Sequence, residues 1–138
     1  MDLKKLGAED MGQLWELHTR YKEEIGEEVP DDTCRRNLED AVRDGLILFF
    51  GAIDGERLVG ICSVTAGFST FDYSASGVFE DFFILPEYRH RGIARKLVEY
   101  AYRESGVSSM TVGCADCDLE MYKALGFTIP LGNLLALG

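Results

Sequence analysis

One stretch constrains this chain more than any other. Val78–Leu85 is an apolar run interrupted only by Glu80 and Asp81, and it stops at Pro86, which cannot donate to a strand ladder. From Gly92 onward Ala94, Leu97, Val98, Ala101 and Tyr102 recur at the spacing of one helix face. Ser109–Cys114 then reads as a short strand. Strand, helix and strand in this order form a crossover, so the two strands should lie parallel. The turn that starts the crossover is Arg89-His90-Arg91-Gly92-Ile93-Ala94-Arg95-Lys96, which holds four of the fourteen Lys and Arg residues; even scattering would put about one there. A helix N-terminus presents free backbone N–H groups and partial positive charge, and a glycine lets a ligand approach that backbone closely. The pattern is that of an anion site; a solvated helix start with clustered cations is the plainer alternative. It matches neither the G-x-x-x-x-G-K-[ST] loop nor the G-x-G-x-x-G fingerprint, so neither a nucleoside triphosphate nor NAD is indicated.

The remaining segments alternate around this unit. Residues 2–6 suit a short strand. Asp10 can cap a helix carrying Met11, Leu14, Trp15, His18 and Tyr21 at near-helical spacing. Asp31 and Asp32 open a second helix that runs to about Asp44 and ends at Gly45. Leu46–Ile53 is almost continuously apolar, as expected of a strand buried on both faces. Asp54-Gly55 is a hairpin turn signal, with Arg57–Thr65 as the partner strand. Gly67–Gly77 is a loop or a strand extension, and Asp118–Leu125 a short helix. Phe127 onward is a candidate final strand, weakened by Pro130 and Gly132. The expected order is β-α-α-β-β-β-α-β-α-β, a mixed α/β sheet with one parallel pair.

Composition narrows the function. At 138 residues the chain is expected to be one domain, residues 1–138. No apolar run approaches the ~20 residues of a bilayer span, and no apolar segment follows Met1-Asp2-Leu3-Lys4-Lys5, so a cytoplasmic protein with reduced cysteines is expected. A net charge of −10 repels nucleic acid and anionic lipid and attracts amines. Cys114 and Cys117 are a single pair, with His18 and His90 far away in sequence. Zinc sites usually take four ligands, so no metal is expected.

Leu85-Pro86-Glu87-Tyr88-Arg89-His90-Arg91-Gly92-Ile93-Ala94 resembles the acetyl-CoA signature of the GNAT N-acetyltransferases, [R/Q]-x-x-G-x-[G/A], with Arg89, Gly92 and Ala94 in the defining places. Glu80-Asp81-Phe82-Phe83-Ile84 resembles the strand before that signature. Tyr122-Lys123-Ala124-Leu125-Gly126-Phe127 is similar to the family's Y-x-x-x-G-F. The resemblance implies a GNAT fold whose parallel strands splay around acetyl-CoA. It places the pyrophosphate on the backbone of His90, Arg91, Gly92, Ile93, Ala94 and Arg95. The pantetheine arm then pairs with Phe82 and Ile84, and an Ile84-type N–H polarises the thioester oxygen. It implies direct acetyl transfer to an amine, with Tyr122 as general acid to the departing thiolate.

For the base, Glu80 is preferred over Asp81 or no protein base. Strand alternation sends the two carboxylates to opposite faces and puts Glu80 with Phe82 and Ile84. Tyr122 could instead be a packing tyrosine beside Leu119 and Leu125, and Glu80 a carboxylate at a wet strand end. His18, on the apolar stripe, reads as structural rather than catalytic. The chain departs from the family where an asparagine is common (Ala115 here) and at Asp118, where a small residue is usual. Its tail is short, so either the substrate side is incompletely closed or a second copy completes it as a homodimer. Nine acids against three bases between Glu23 and Asp44 suggest a cationic acceptor or simply a solvated helix face. A non-catalytic acyl-CoA-binding module of the same fold is the alternative function, and a small cofactor-free interaction domain the third.

Overall fold

The computed structural model describes all 138 residues. Its elements are β1 (Asp2–Lys5), α1 (Met11–Glu24), α2 (Asp32–Arg43), β2 (Leu48–Asp54), β3 (Arg57–Ser69), β4 (Ser74–Ile84), α3 (Ile93–Ser105), β5 (Ser109–Val112) and α4 (Leu119–Ala124). The strands form one sheet in the order β1-β2-β3-β4-β5. The first three pairings are antiparallel, and β4 runs parallel to β5, as the crossover through α3 requires.

Both faces of the sheet are covered, and alternation along β2 and β3 explains how. Phe49 and Ile61 pack with Met11, Leu14 and Leu17 of α1, together with Phe83. Their chain neighbours Phe50 and Cys62 point the other way, toward Leu97, Val98 and Ala101 of α3, with Val64 and Phe79. Each fully buried Leu or Phe contributes roughly 1.5–3 kcal/mol relative to exposure, so both helices are held chiefly by these contacts. The second helix is held more loosely. It has no fully buried residue and lends only Leu38 and Val42 to the α1 side. Its start is fixed locally: the Asp31 side chain accepts the Cys34 N–H at 2.9 Å.

Of the two alternatives for residues 67–77 the structure takes the strand extension, and two other sequence expectations change. The segment 67–77 is strand on both sides of a turn: β3 and β4 pair as far as Ser69 opposite Ser74, with Tyr73 at φ 56°. At the other sheet edge, β2 begins only at Leu48, and Leu46 is exposed. No strand follows α4, so the order lacks its expected last strand. Pro130 has no N–H to donate and Gly132 sits at φ 91°, and Leu131, Leu134, Leu135 and Leu137 are exposed rather than alternating in and out.

Gly77 sits between Ala66 of β3 and Met110 of β5. A Cβ there would lie 2.8 Å from a Val64 methyl and 3.1 Å from a Val107 methyl. Gly77→Ala should therefore destabilise the protein by about 1–3 kcal/mol through overpacking, despite its lower backbone entropy cost. A urea-unfolding midpoint at or above wild type would contradict this packing.

Candidate functional site

The site begins where β4 loses a partner. The parallel ladder couples only Ser76–Phe79 with Ser109–Val112. The strand then continues through Glu80–Ile84 beside a gap. At the bend, β3 and β4 slip by one residue: Ile61 faces Phe83, but Ser63 faces Glu80. The extra residue is a β-bulge in which Asp81 takes φ 53°, and bulges kink a strand and disrupt its pairing. Ser63, fully buried, donates its hydroxyl to Asp81 Oδ2 at 2.6 Å and holds the bulge.

This slip overturns the alternation argument for Glu80. Glu80 lies opposite Ser63, on the α1 side, and is exposed. Asp81 turns to the same side, where its Oδ1 lies 3.9 Å from His18 Nδ1. Past the bulge, Ile84 faces Gly60 and packs near Ala52, and the Phe82 ring meets Phe79 and Tyr122 at 5.5 and 6.3 Å. Glu80 therefore does not share a face with Phe82 and Ile84. Both carboxylates face α1.

Backbone groups along the gap follow from one hydrogen bond. The Leu85 N–H donates to Val59 O on β3, so the Ile84 N–H points to the opposite edge, into the gap. The Ile84 carbonyl is taken: Arg89 Nε donates to it at 2.8 Å. The Arg89 guanidinium also grips Glu24 of α1, at 2.8 and 3.1 Å, and lies over the Phe83 ring. Its own N–H goes to Pro86 O. Arg89, expected among the anion-binding residues, thus ties the turn to β4 and α1 in this structure.

The donors lie beyond it. His90 at φ 64° and Gly92 at φ 81° coil the turn, and the first bond back into α3 runs from Lys96 N–H to Gly92 O. The N–H groups of Ile93, Ala94 and Arg95 therefore have no partner within the helix. A Cβ on Gly92 would meet nothing within 4 Å, so the turn opens outward. Arg91 stacks over Tyr88, 5.1 Å from its centroid, and Arg95 donates to Ala124 O at the end of α4. A bare, coiled backbone at the head of a helix fits a pyrophosphate.

Tyr122 closes the gap from the α4 side, against Phe82 and Phe127. Burial first, then Tyr21, Asp118 and Cys114, push its phenol up to about 12. Across the site, burial and the charge of Asp81 also raise Tyr21. His18 is lowered, because burial outweighs the attraction of Asp81. No three His, Cys, Asp or Glu side chains gather in a metal-binding cluster, and Cys114 and Cys117 are exposed.

The sequence motifs and this geometry meet in the comparisons. A family model described as "Acetyltransferase (GNAT) domain" matches residues 46–129, from the edge of β2 through α4. The chain belongs to the GNAT acetyltransferase family. Its fold is the GNAT fold, and solved structures agree. A probable acetyltransferase superposes with TM-score 0.87 at 22% identity, covering 100% of this chain and 99% of the other. A predicted acetyltransferase from Clostridium acetobutylicum, solved with acetyl-CoA, gives 0.81 at 16%, covering 99% and 95%. An aminoglycoside acetyltransferase from an uncultured soil metagenomic sample, in complex with sisomicin, gives 0.80 at 17%, covering 99% and 94%. At these identities the likeness is one of fold. No curated protein matches the sequence significantly.

Sequence reasoning missed the pairing of His18 with Asp81 and the role of Ser63. Nothing in a helix stripe announces its partner across the sheet. A bulge leaves little mark in sequence beyond the tolerance of Asp for positive φ. The Arg89 contacts generate a test that separates two kinds of bond. Glu24→Gln removes a partly exposed ion pair and should cost no more than about 1 kcal/mol. Arg89→Ala also strands the buried Ile84 carbonyl and should cost about 1–3 kcal/mol more. Equal unfolding midpoints for the two variants would show that the carbonyl contact contributes nothing.

Proposed function

We propose that this GNAT protein is an N-acetyltransferase that moves the acetyl group of acetyl-CoA directly to a primary amine carrying positive charge. The observation that carries this reading is the unpaired edge of β4, which ends at the open backbone of the His90–Arg95 turn. Acetyl-CoA, when bound, supplies the activated thioester; the rest is done by the chain. The N–H groups of His90, Arg91, Gly92, Ile93, Ala94 and Arg95 receive the pyrophosphate charge. Phe82 and Ile84 offer backbone to the pantetheine arm, and the Ile84 N–H points to where negative charge develops on the thioester oxygen.

The ammonium must shed one proton before it attacks, and the acylated nitrogen then sheds a second, which the departing thiolate takes up. Glu80, exposed on the α1 side, takes the proton of the incoming ammonium directly or through water. Tyr122 serves the departing sulfur. A phenol at about 12 is a weaker acid than a thiol near ~8.5, so complete transfer to a free thiolate would be uphill by about 5 kcal/mol. Tyr122 therefore acts by donating a hydrogen bond as charge builds on sulfur, while staying protonated throughout the neutral range. Tyr122→Phe should lower kcat by ~10²-fold or more, in the range found when one hydrogen-bond donor to a developing anion is removed, with the CoA-induced thermal shift retained. Full activity in that variant would make Tyr122 a packing residue.

The acceptor's charge follows from the acidic segment. Glu27 is paired with Lys22 and Glu24 with Arg89, while Glu23, Glu28 and Asp32 have no ion-pair partner. Long-range attraction of this kind is screened by salt over ~8 Å at physiological strength. A turnover screen with acetyl-CoA should favour spermidine and a lysine-rich peptide over glutamate, and added salt should raise KM for the cations. Preference for glutamate, or salt-independent KM for spermidine, would reject the cationic acceptor. In parallel, Gly92→Glu puts bulk and like charge into the turn, and should abolish the CoA thermal shift in a folded protein. A folded wild type that binds CoA but acetylates nothing would instead be an acyl-CoA-binding module.

A further inference from the structure

The unexplained group in this molecule is His18. Its Nδ1 is the single buried side-chain nitrogen or oxygen without a hydrogen-bond partner, and such groups are rare because they are costly. Its side chain is 12% exposed, and the carboxylate it faces, Asp81, is 14% exposed. Asp81 is already half satisfied: Oδ2 takes the Ser63 hydroxyl, leaving Oδ1 open toward His18. The 3.9 Å between them is too long for a hydrogen bond. The separation falls within ion-pair range, yet burial outweighs that attraction and keeps the imidazole neutral at pH 7. At that distance the neutral ring makes no hydrogen bond to Oδ1 in either tautomer. A second ring proton changes that by giving the ring a positive charge. The imidazolium then has an N–H aimed at Oδ1, and a shift of about 1 Å closes the bond.

Other groups around His18 do not satisfy it. On α1, Trp15 and Tyr21 lie beside it at ring separations of 5.7 and 6.2 Å, and Lys22 opposes its protonation. Glu27, between α1 and α2, favours protonation but is paired with Lys22 at 2.8 Å. From β2 only the Phe49 ring meets it, edge-on at 6.4 Å; β3 contributes the neutral Ser63 behind Asp81, and β4 contributes Asp81 itself. Asp81 is the anion His18 can claim. It also lies beside Glu80 on the side where the proposed acceptor enters.

We propose that His18 is a positioning residue for the acceptor amine: neutral, it leaves Asp81 Oδ1 open to the incoming ammonium, and protonated, it takes that oxygen for itself. The ammonium and the Nδ1 proton compete for one carboxylate oxygen. Acidification through the His18 midpoint therefore weakens acceptor binding without touching the CoA turn. This rests on the N-acetyltransferase reading for its consequence, but not for its test.

The test follows His18 by proton NMR across pH in wild type, assigned with His90→Gln, since the chain has two histidines. Three results are expected. The His18 midpoint lies below the ordinary ~6.5. Asp81→Asn lowers it further by removing the anion that favours the charged form. Spermidine, used as the cationic probe, lowers it in wild type by competing for Asp81 and has no effect in Asp81→Asn. A midpoint indifferent to both Asp81→Asn and spermidine overturns the proposal, whether or not the protein turns over. With spermidine as acceptor, KM in wild type should rise by up to tenfold per pH unit below the midpoint, at constant CoA affinity. His18→Asn is polar and compact but cannot titrate, and should flatten that limb. An unchanged KM profile in folded His18→Asn also overturns it. A coupled His18 in a protein that acetylates no amine would count against the transferase reading alone.

Discussion

Asp81 is held at φ 53°, where an L-residue pays about 1–2 kcal/mol of steric cost, and the hydroxyl of a fully buried serine keeps it there. Much of the site depends on that hydrogen bond. The bulge ends the ladder with β5, opens the gap along Glu80–Ile84 and turns two carboxylates toward α1. It also reverses the facing of the strand, so Phe82 and Ile84 pack on the α3 side. Without the extra residue β4 would continue flat beside β5 with its backbone groups paired. Strain of this kind is stored where the surrounding packing over-determines it, and here Phe79 and Phe83 are buried on either side of the bulge.

The crossover was legible because it rests on long periodic segments. The α3 stripe and the apolar run of β4 admit few alternatives, and the parallel pair follows from handed connections. The glycine turn was legible for a similar reason: cations, glycine and a helix start occupy adjacent positions. What the sequence concealed was anything set by one-residue geometry. The side taken by Glu80 depended on a slip between Ile61 and Ser63 that no period reveals. The commitment of Arg89 to Glu24 spans the fold from α1 to the turn. In the tail, the candidate strand from Phe127 onward was already weakened by Pro130 and Gly132, and no strand forms there.

His18 illustrates how a stripe position can carry two meanings. Its place at helical spacing between Leu14 and Tyr21 is that of a packing residue, and it does pack, against Trp15, Tyr21 and Phe49. The same spacing delivers its ring to the bulge. Burial alone would leave an inert imidazole; burial beside a carboxylate with one free oxygen leaves one that can respond to protons.

The strand order of the sheet is the order of the chain. Each antiparallel neighbour is reached through a short hairpin, except at β1, where α1 and α2 intervene, and such local pairings close quickly during folding. The parallel β4–β5 ladder is different: it waits for α3 to form and dock, and it rests on a four-residue strand. The β1–β2 ladder is less local still, joining residues from Lys5 with Phe50 to Asp2 with Ile53, so both outer strands of the sheet depend on helices that intervene before they can pair. The open stretch of β4 thus stands between hairpin pairings made by chain neighbours and a four-residue strand that only the α3 crossover delivers.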